Sequence, residues 1–317
     1  MSDELLIHVG FPKTATTWLQ NELFVSGNDV FEPFSMTNSG PSTLANVMLK
    51  TSEGYLAPSF WKTDVLVKEE YLRIIKKLKN KSDKIKVLTS EHLSGNQHSS
   101  GFDAKINADR LKEMFPKAKI LIVIKEQSSF LVSNYFQYLH RGGTLSYKKY
   151  FGQKYQQRPL LSPHSIDYLD FVSYYQELFG ADKMLVLPYE LFNREPQKFL
   201  SIIGKFVNRT IVVNSAAIEK KYNNRQDYWL LYKFRSLNYF RFSNALNNYS
   251  SWYNGPLKNF SRIILKISSY AVPKKWHQSF KEKVTTYATA WVDNRYKANN
   301  LKLSTLIKID LSEYGYH

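Results

Sequence analysis

The stretch Leu5-Leu6-Ile7-His8-Val9-Gly10-Phe11-Pro12-Lys13-Thr14-Ala15-Thr16-Thr17-Trp18-Leu19 decides the fold. Its first five residues are a short apolar run, the mark of a buried strand in a mostly parallel sheet. Gly10 and Pro12 then turn the chain, and Thr16 to Phe24 has the pattern of a helix. A helix start offers backbone N–H groups and the positive end of its dipole, so an anion is at home there. Lys13 adds a full charge, and Thr14, Thr16 and Thr17 add hydroxyl donors. The segment is not a Walker A loop, which runs Gly-x-x-x-x-Gly-Lys-Ser/Thr. Here Lys13 comes three residues after Gly10, and Ala15 stands where close backbone approach favours Gly. The plainer alternative is a strand–turn–helix with capping threonines and a surface lysine; strand, turn, Lys13, Thr16-Thr17 and helix together favour an anion site.

Working outward, three more runs of the same kind follow: Ile85 to Leu88, Ile120 to Ile124 and Met184 to Leu187. Helical patterns separate them, at Val65 to Lys79 and at Ala104 to Phe115, where Pro116 acts as a stop. Strands alternating with helices imply βαβ units. The fold class is therefore α/β: a central, mostly parallel sheet flanked by helices, with additional C-terminal helices. From about Tyr222 to Phe260 long helical patterns crowd with aromatics, among them Tyr228, Trp229, Tyr232, Phe240 and Trp252. These are expected to pack against the sheet. No repeat or Pro/Gly/Ser linker marks a boundary, so one domain over 1–317 is expected, with a sheet-bearing core over about 1–210 and a helical extension over about 211–317.

Composition narrows the function. The 317 residues include no cysteine, which excludes disulfide scaffolds, cysteine-based metal sites and a cysteine nucleophile. Lys and Arg outnumber Asp and Glu by 44 to 27, a net charge of +17, so an anionic partner is expected: a nucleotide, an acidic glycan, membrane headgroups or nucleic acid. The start Met1-Ser2-Asp3-Glu4 is acidic where a signal peptide would be basic, and no apolar run approaches the ~20 residues of a membrane span. A cytoplasmic protein is the expectation.

Two further segments can hold chemistry. Ile120-Leu121-Ile122-Val123-Ile124-Lys125 puts a cation at a strand's C-terminal end, where open α/β sheets bind ligands. Val87-Leu88-Thr89-Ser90-Glu91-His92 ends another strand at the same sheet edge with two bases side by side. Adjacent residues at a strand end point to opposite sides, so one of the two is expected to face the site. His8, within a strand, reads as core, and His98 as a loop histidine.

Phe11-Pro12-Lys13-Thr14-Ala15-Thr16-Thr17-Trp18-Leu19 resembles the Pro-Lys-Thr-Gly-Thr-Thr-Trp-Leu loop of sulfotransferases that use 3′-phosphoadenosine 5′-phosphosulfate (PAPS), with Ala15 in place of Gly. The resemblance implies that Pro12, Lys13, Thr14, Ala15, Thr16, Thr17 and Trp18 grip the 5′-phosphosulfate. It also implies a P-loop NTPase-like three-layer fold whose nucleotide-binding core spans about 1–210, and a 3′-phosphate site at Lys125 and, eight residues on, Ser133. Most relatives have Arg at the Lys125 position, and an ammonium replaces a bidentate fork with a point charge. Sulfuryl transfer needs a base for the acceptor's proton. Glu91-His92 resembles both a Ser-Glu and a His-Leu family variant; Glu91 is the first candidate and His92 the second. Lys13 is implied to stabilise charge on the bridging oxygen, with no metal required and 3′,5′-ADP as product. Arg225, in Lys220-Lys221-Tyr222-Asn223-Asn224-Arg225, is a late nucleotide contact. The ending Ile309-Asp310-Leu311-Ser312-Glu313-Tyr314-Gly315-Tyr316 is similar to bacterial sulfotransferase tails.

His140 and Arg141, then Tyr147-Lys148-Lys149-Tyr150-Phe151, are expected beside the acceptor cleft. Cations and rings together suit a hydroxyl-bearing glycan, glycolipid or small molecule, and the charge also suits a peripheral membrane contact. Two rival readings remain. One is a P-loop kinase or nucleotide hydrolase using Mg²⁺. The other is a non-catalytic polyanion binder, against which the lysines are spread without a nucleic-acid recognition motif.

Overall fold

The computed structural model describes residues 4–25, 27–33, 83–91, 93–95, 100–101, 103–152, 161–220, 222, 227–241 and 272–317. The expected helix at Val65 to Lys79, and His92, His98, Arg225 and Trp252, lie outside the described residues.

In chain order the elements are β1 (Leu5–Gly10), α1 (Thr16–Trp18) running on as a π-helical turn (Leu19–Leu23), β2 (Phe31–Pro33), β3 (Ile85–Ser90), α2 (Ala104–Met114), β4 (Lys119–Ile124) and α3 (Gln127–His140). After a helical turn at Tyr147–Gly152 come α4 (Tyr168–Phe179), β5 (Met184–Pro188), α5 (Pro196–Val207), α6 (Tyr228–Lys233), α7 (Lys274–Val292) and α8 (Lys297–Ile307). The five strands form one parallel sheet in the order β2-β3-β1-β4-β5. Every residue of β1 and of β3 is buried, the polar His8, Lys86, Thr89 and Ser90 included, so both faces of the sheet are covered, as largely apolar runs in a parallel sheet require. β1 stands at the centre between β3 and β4, where successive crossovers leave in opposite directions; such a switch point opens a crevice at the carboxyl edge.

Three differences from the sequence reading have physical causes. The edge strand β2 is three residues long and ends in Pro33, too short to show a periodicity. The aromatic stretch after Tyr222 forms short rather than long helices in its described part: α6 stops at Lys233, a 3₁₀ turn occupies Arg235–Leu237, and a last short helix runs Asn238–Arg241. Its rings pack on other helices rather than on the sheet, Tyr228 against Phe136 of α3 at 4.6 Å and Tyr232 against Phe280 of α7 at 4.5 Å. The long helix is α7, 19 residues, laid along α3. No helix among the described residues is long and apolar enough to cross a membrane.

Candidate active site

The loop between β1 and α1 is held from below and shaped by its backbone. Phe11 is buried between Phe130, Tyr168 and Phe171, its ring centroid 5.0 Å from each of the last two. Thr14, fully buried, donates its hydroxyl proton to the Phe11 carbonyl at 2.6 Å. That hydroxyl therefore closes the turn, and its single proton is not offered to an oxyanion. Lys13 (φ 67°) and Ala15 (φ 61°, ψ 11°) both take the left-handed conformation, which costs a residue with a side chain roughly 1–2 kcal/mol. Gly10 is needed for space: a Cβ there would lie 2.6 Å from Thr16 Oγ1. The Thr16 hydroxyl is itself buried and has no hydrogen-bond partner, a donor left at the helix start beside the loop.

A second elbow follows β4. Lys125 leaves the strand, and Glu126 caps α3, its carboxylate accepting from the Ser128 and Ser129 N–H groups at 2.7 and 2.8 Å. The helix start is thus fixed immediately after the lysine. One face of α3 then brings Ser133 back to Lys125, whose ammonium donates to Ser133 Oγ at 3.0 Å, while the Ser133 hydroxyl donates to the Ser129 carbonyl. The C-terminal tail braces this elbow from behind: buried Tyr316 donates to Glu190 at 3.1 Å, and Glu190 accepts the Glu126 N–H at 3.1 Å. Tyr168 adds a hydrogen bond to the Lys125 carbonyl. Burial pushes the Lys125 ammonium down to about 8; Glu190 and Glu126 pull it up, and Lys281 and Lys13 push it further down. Burial also raises the Glu190 carboxyl above the usual range, against the hydrogen bonds it accepts.

At the end of β3, Glu91 faces the same crevice, and the Arg141 guanidinium, just past α3, lies 3.8 Å from its carboxylate. Trp18, Tyr189 and Phe192 form an aromatic wall. Trp18 is pinned by its indole N–H on the Ala217 carbonyl at 2.9 Å and by Phe192 at 4.8 Å, and Tyr189 lies 5.0 Å beneath the Lys125 ammonium. Lys220 lines the rim, ion-paired to Glu22 at 3.0 Å.

These pieces enclose a cleft of about 880 Å³. Of the residues singled out in the sequence, Lys13, Ala15, Thr16, Thr17, Trp18, Glu91, Lys125, Ser133, His140 and Arg141 line it together. Pro12 and Thr14 are buried and do not. The Tyr147 to Phe151 segment departs from its expected place. Tyr147, Tyr150 and Phe151 are buried around Tyr135 of α3, because rings three and four residues apart on a helical turn share one face. Sequence reasoning missed Tyr189, Tyr228 and Lys281, which enter the cleft from elements without a motif, and the bracing pair Glu190 and Tyr316.

No protein-family model and no curated protein matches the chain. Solved structures do. The chain is similar to a sulfotransferase from Alicyclobacillus acidocaldarius, at 17% identity over 80% of this chain and 100% of that one, with a TM-score of 0.49. It is also similar to the sulfotransferase domain of a Synechococcus olefin synthase, at 16% identity over 85% and 95% of the two chains and a TM-score of 0.41. A mouse sulfotransferase complexed with PAP matches at 13% identity over 89% and 90%, with a TM-score of 0.33. These are distant likenesses, and the sheet order and the loop geometry stand without them.

Proposed function

We propose that the chain is a sulfotransferase that moves a sulfuryl group from PAPS to a hydroxyl or amine of an acceptor by metal-independent in-line displacement. One observation carries the reading: Lys13, Glu91 and the Lys125–Ser133 pair, from three separate crossovers, converge on one cleft at the carboxyl edge of β1, β3 and β4. In this reading the nucleotide spans from Lys13 to Lys125, with its phosphosulfate on the loop and its 3′-phosphate at the elbow. The aromatic wall of Trp18 and Phe192 suits a stacked base.

The chemistry follows from the placement. The acceptor oxygen attacks sulfur, the bond from sulfur to the bridging oxygen breaks, and 3′,5′-ADP leaves. Glu91 takes the acceptor's proton, and Lys13 meets the negative charge that grows on the bridging oxygen. Arg141 holds the Glu91 carboxylate toward the cleft. His140 and Arg141 face an acceptor of the glycan, glycolipid or small-molecule kind. The whole chain acts as one domain, its C-terminal helices completing the cleft wall.

The test has two arms. Labelled PAPS is offered with a panel of sugar and phenol acceptors to the wild type and to Lys13→Ala, which is expected to lose about 100- to 1,000-fold in turnover while melting normally. Calorimetry with 3′,5′-ADP and with ATP–Mg²⁺ follows; heat from ATP–Mg²⁺ alone would move the reading to a kinase or hydrolase.

A further inference from the structure

We infer that Lys281, on α7, binds the nucleotide's 3′-phosphate together with Lys125 and Ser133; this rests on the nucleotide reading above. Besides Lys220, which is ion-paired to Glu22, the cleft collects ammonium groups from three distant parts of the chain, Lys13 after β1, Lys125 after β4 and Lys281 on α7. Like charges gathered in one half-enclosed space repel one another unless an anion lies between them. Lys281 is close enough to Lys125 for its charge to oppose Lys125's protonation, and Lys13 acts in the same sense.

The support of Lys281 is rigid. Its neighbour Phe280 is wedged between Tyr232 at 4.5 Å, Phe136 at 6.2 Å and Tyr147 at 6.2 Å, and Val284, one turn on, is fully buried. The Lys281 ammonium lies 5.4 Å from the ring centre of Tyr228, another cleft residue, so the stem is directed along the cleft wall. Charge balance supplies the reason for a second cation. A phosphomonoester carries about −1.5 to −2 at neutral pH. Lys125 supplies at most one positive charge, and with its proton held only to about pH 8 it supplies less than that in alkaline solution. A lone lysine also lacks the two-pronged grip of an arginine. Lys281 brings the missing charge from α7, a separate element of the same cleft, and a 3′-phosphate would relieve the repulsion between the two.

Calorimetric titrations of 3′,5′-ADP and of 5′-AMP into the wild type, Lys281→Gln and Lys281→Arg separate the possibilities, since 5′-AMP lacks only the 3′-phosphate. Lys281→Gln is expected to weaken 3′,5′-ADP by about 10- to 100-fold, the scale of a charge-assisted hydrogen bond, and to leave 5′-AMP within about twofold. Lys281→Arg is expected to keep most of the affinity. Retained 5′-AMP binding shows that the variant is folded. Equal losses for both nucleotides, or no loss for 3′,5′-ADP, would overturn the assignment of Lys281. A wild type that binds the two nucleotides equally, or neither, would overturn the nucleotide reading itself and this inference with it.

Discussion

Arg141 and Glu91 face each other at 3.8 Å, one from the end of α3 and the other from the end of β3. Both side chains are partly exposed, so the pair adds little to folding, on the order of 0–1 kcal/mol. Its consequence is positional: the guanidinium holds the one described carboxylate at the end of β3 against the cleft.

Steady-state kinetics check that placement. Glu91→Gln keeps the shape and removes the proposed base, and is expected to lower kcat by about 100- to 10,000-fold with the KM for PAPS little changed. Arg141→Ala is expected to lower kcat by about tenfold, with Arg141→Lys recovering part of it and Tm unmoved in all three. Full turnover by Glu91→Gln would remove Glu91 from its role and return His92 as the base.

Ala15 offers a test of the loop itself. It sits at φ 61°, where glycine is the cheapest residue. Ala15→Gly relieves the left-handed strain but adds freedom to the unfolded chain, and these effects offset each other to within about 0.5–1 kcal/mol. Ala15→Val keeps the strain and adds a branched Cβ, so a loss of about 1–3 kcal/mol is expected in urea melts. Equal stability of the Val and Gly variants would contradict this backbone geometry.

On the proposed reading, Lys125 makes nucleotide binding pH-dependent. With its proton held only to about pH 8 before ligand arrives, affinity for 3′,5′-ADP is expected to fall by about tenfold per pH unit above 8, and binding near pH 8 to take up protons. For stability the sign runs the other way. The unfolded chain keeps this proton up to about pH 10.5, so between 8 and 10.5 it binds more protons than the native protein, and Lys125 makes the ligand-free protein more stable as pH rises across that window. Lys125→Met is expected to flatten both dependences in buffer-paired calorimetry and alkaline melts.

His8 sets an acid limit. It is fully buried in β1, its Nδ1 at 2.8 Å from the Thr89 hydroxyl, and burial lowers its pKa from 6.5 to about 3. The unfolded chain therefore takes up this proton first as pH falls below 6.5, and stability declines toward pH 3 by up to about 1.4 kcal/mol per unit. Urea midpoints measured from pH 7 to pH 4 should fall less steeply in His8→Gln; identical slopes would show that other groups govern acid unfolding.

Much of this molecule is legible in local sequence. Four of the five strands show as short, largely apolar runs because a doubly covered parallel sheet must bury both sides of each strand. The loop from Gly10 to Trp18 and the elbow at Lys125 and Ser133 are equally plain, since each is a local device of turn, cation and helix start. The roles inside the loop were less visible. Thr14 and Thr16 look alike in the chain, yet one hydroxyl is spent on the Phe11 carbonyl and the other has no partner.

What the chain determines by itself is the order of elements and the basic, hydroxyl-bearing character of two strand ends, because hydrophobic period, turn residues and charge act over a few positions. Only the tertiary structure decides that Glu91 meets Arg141, that Tyr147 and Tyr150 turn inward to the core, that Tyr316 braces the Lys125 elbow through Glu190, and that Lys281 enters the cleft from a helix with no motif. Those pairings depend on how α3, α7 and the tail pack against one another, and packing between segments far apart in the chain leaves no local pattern to read.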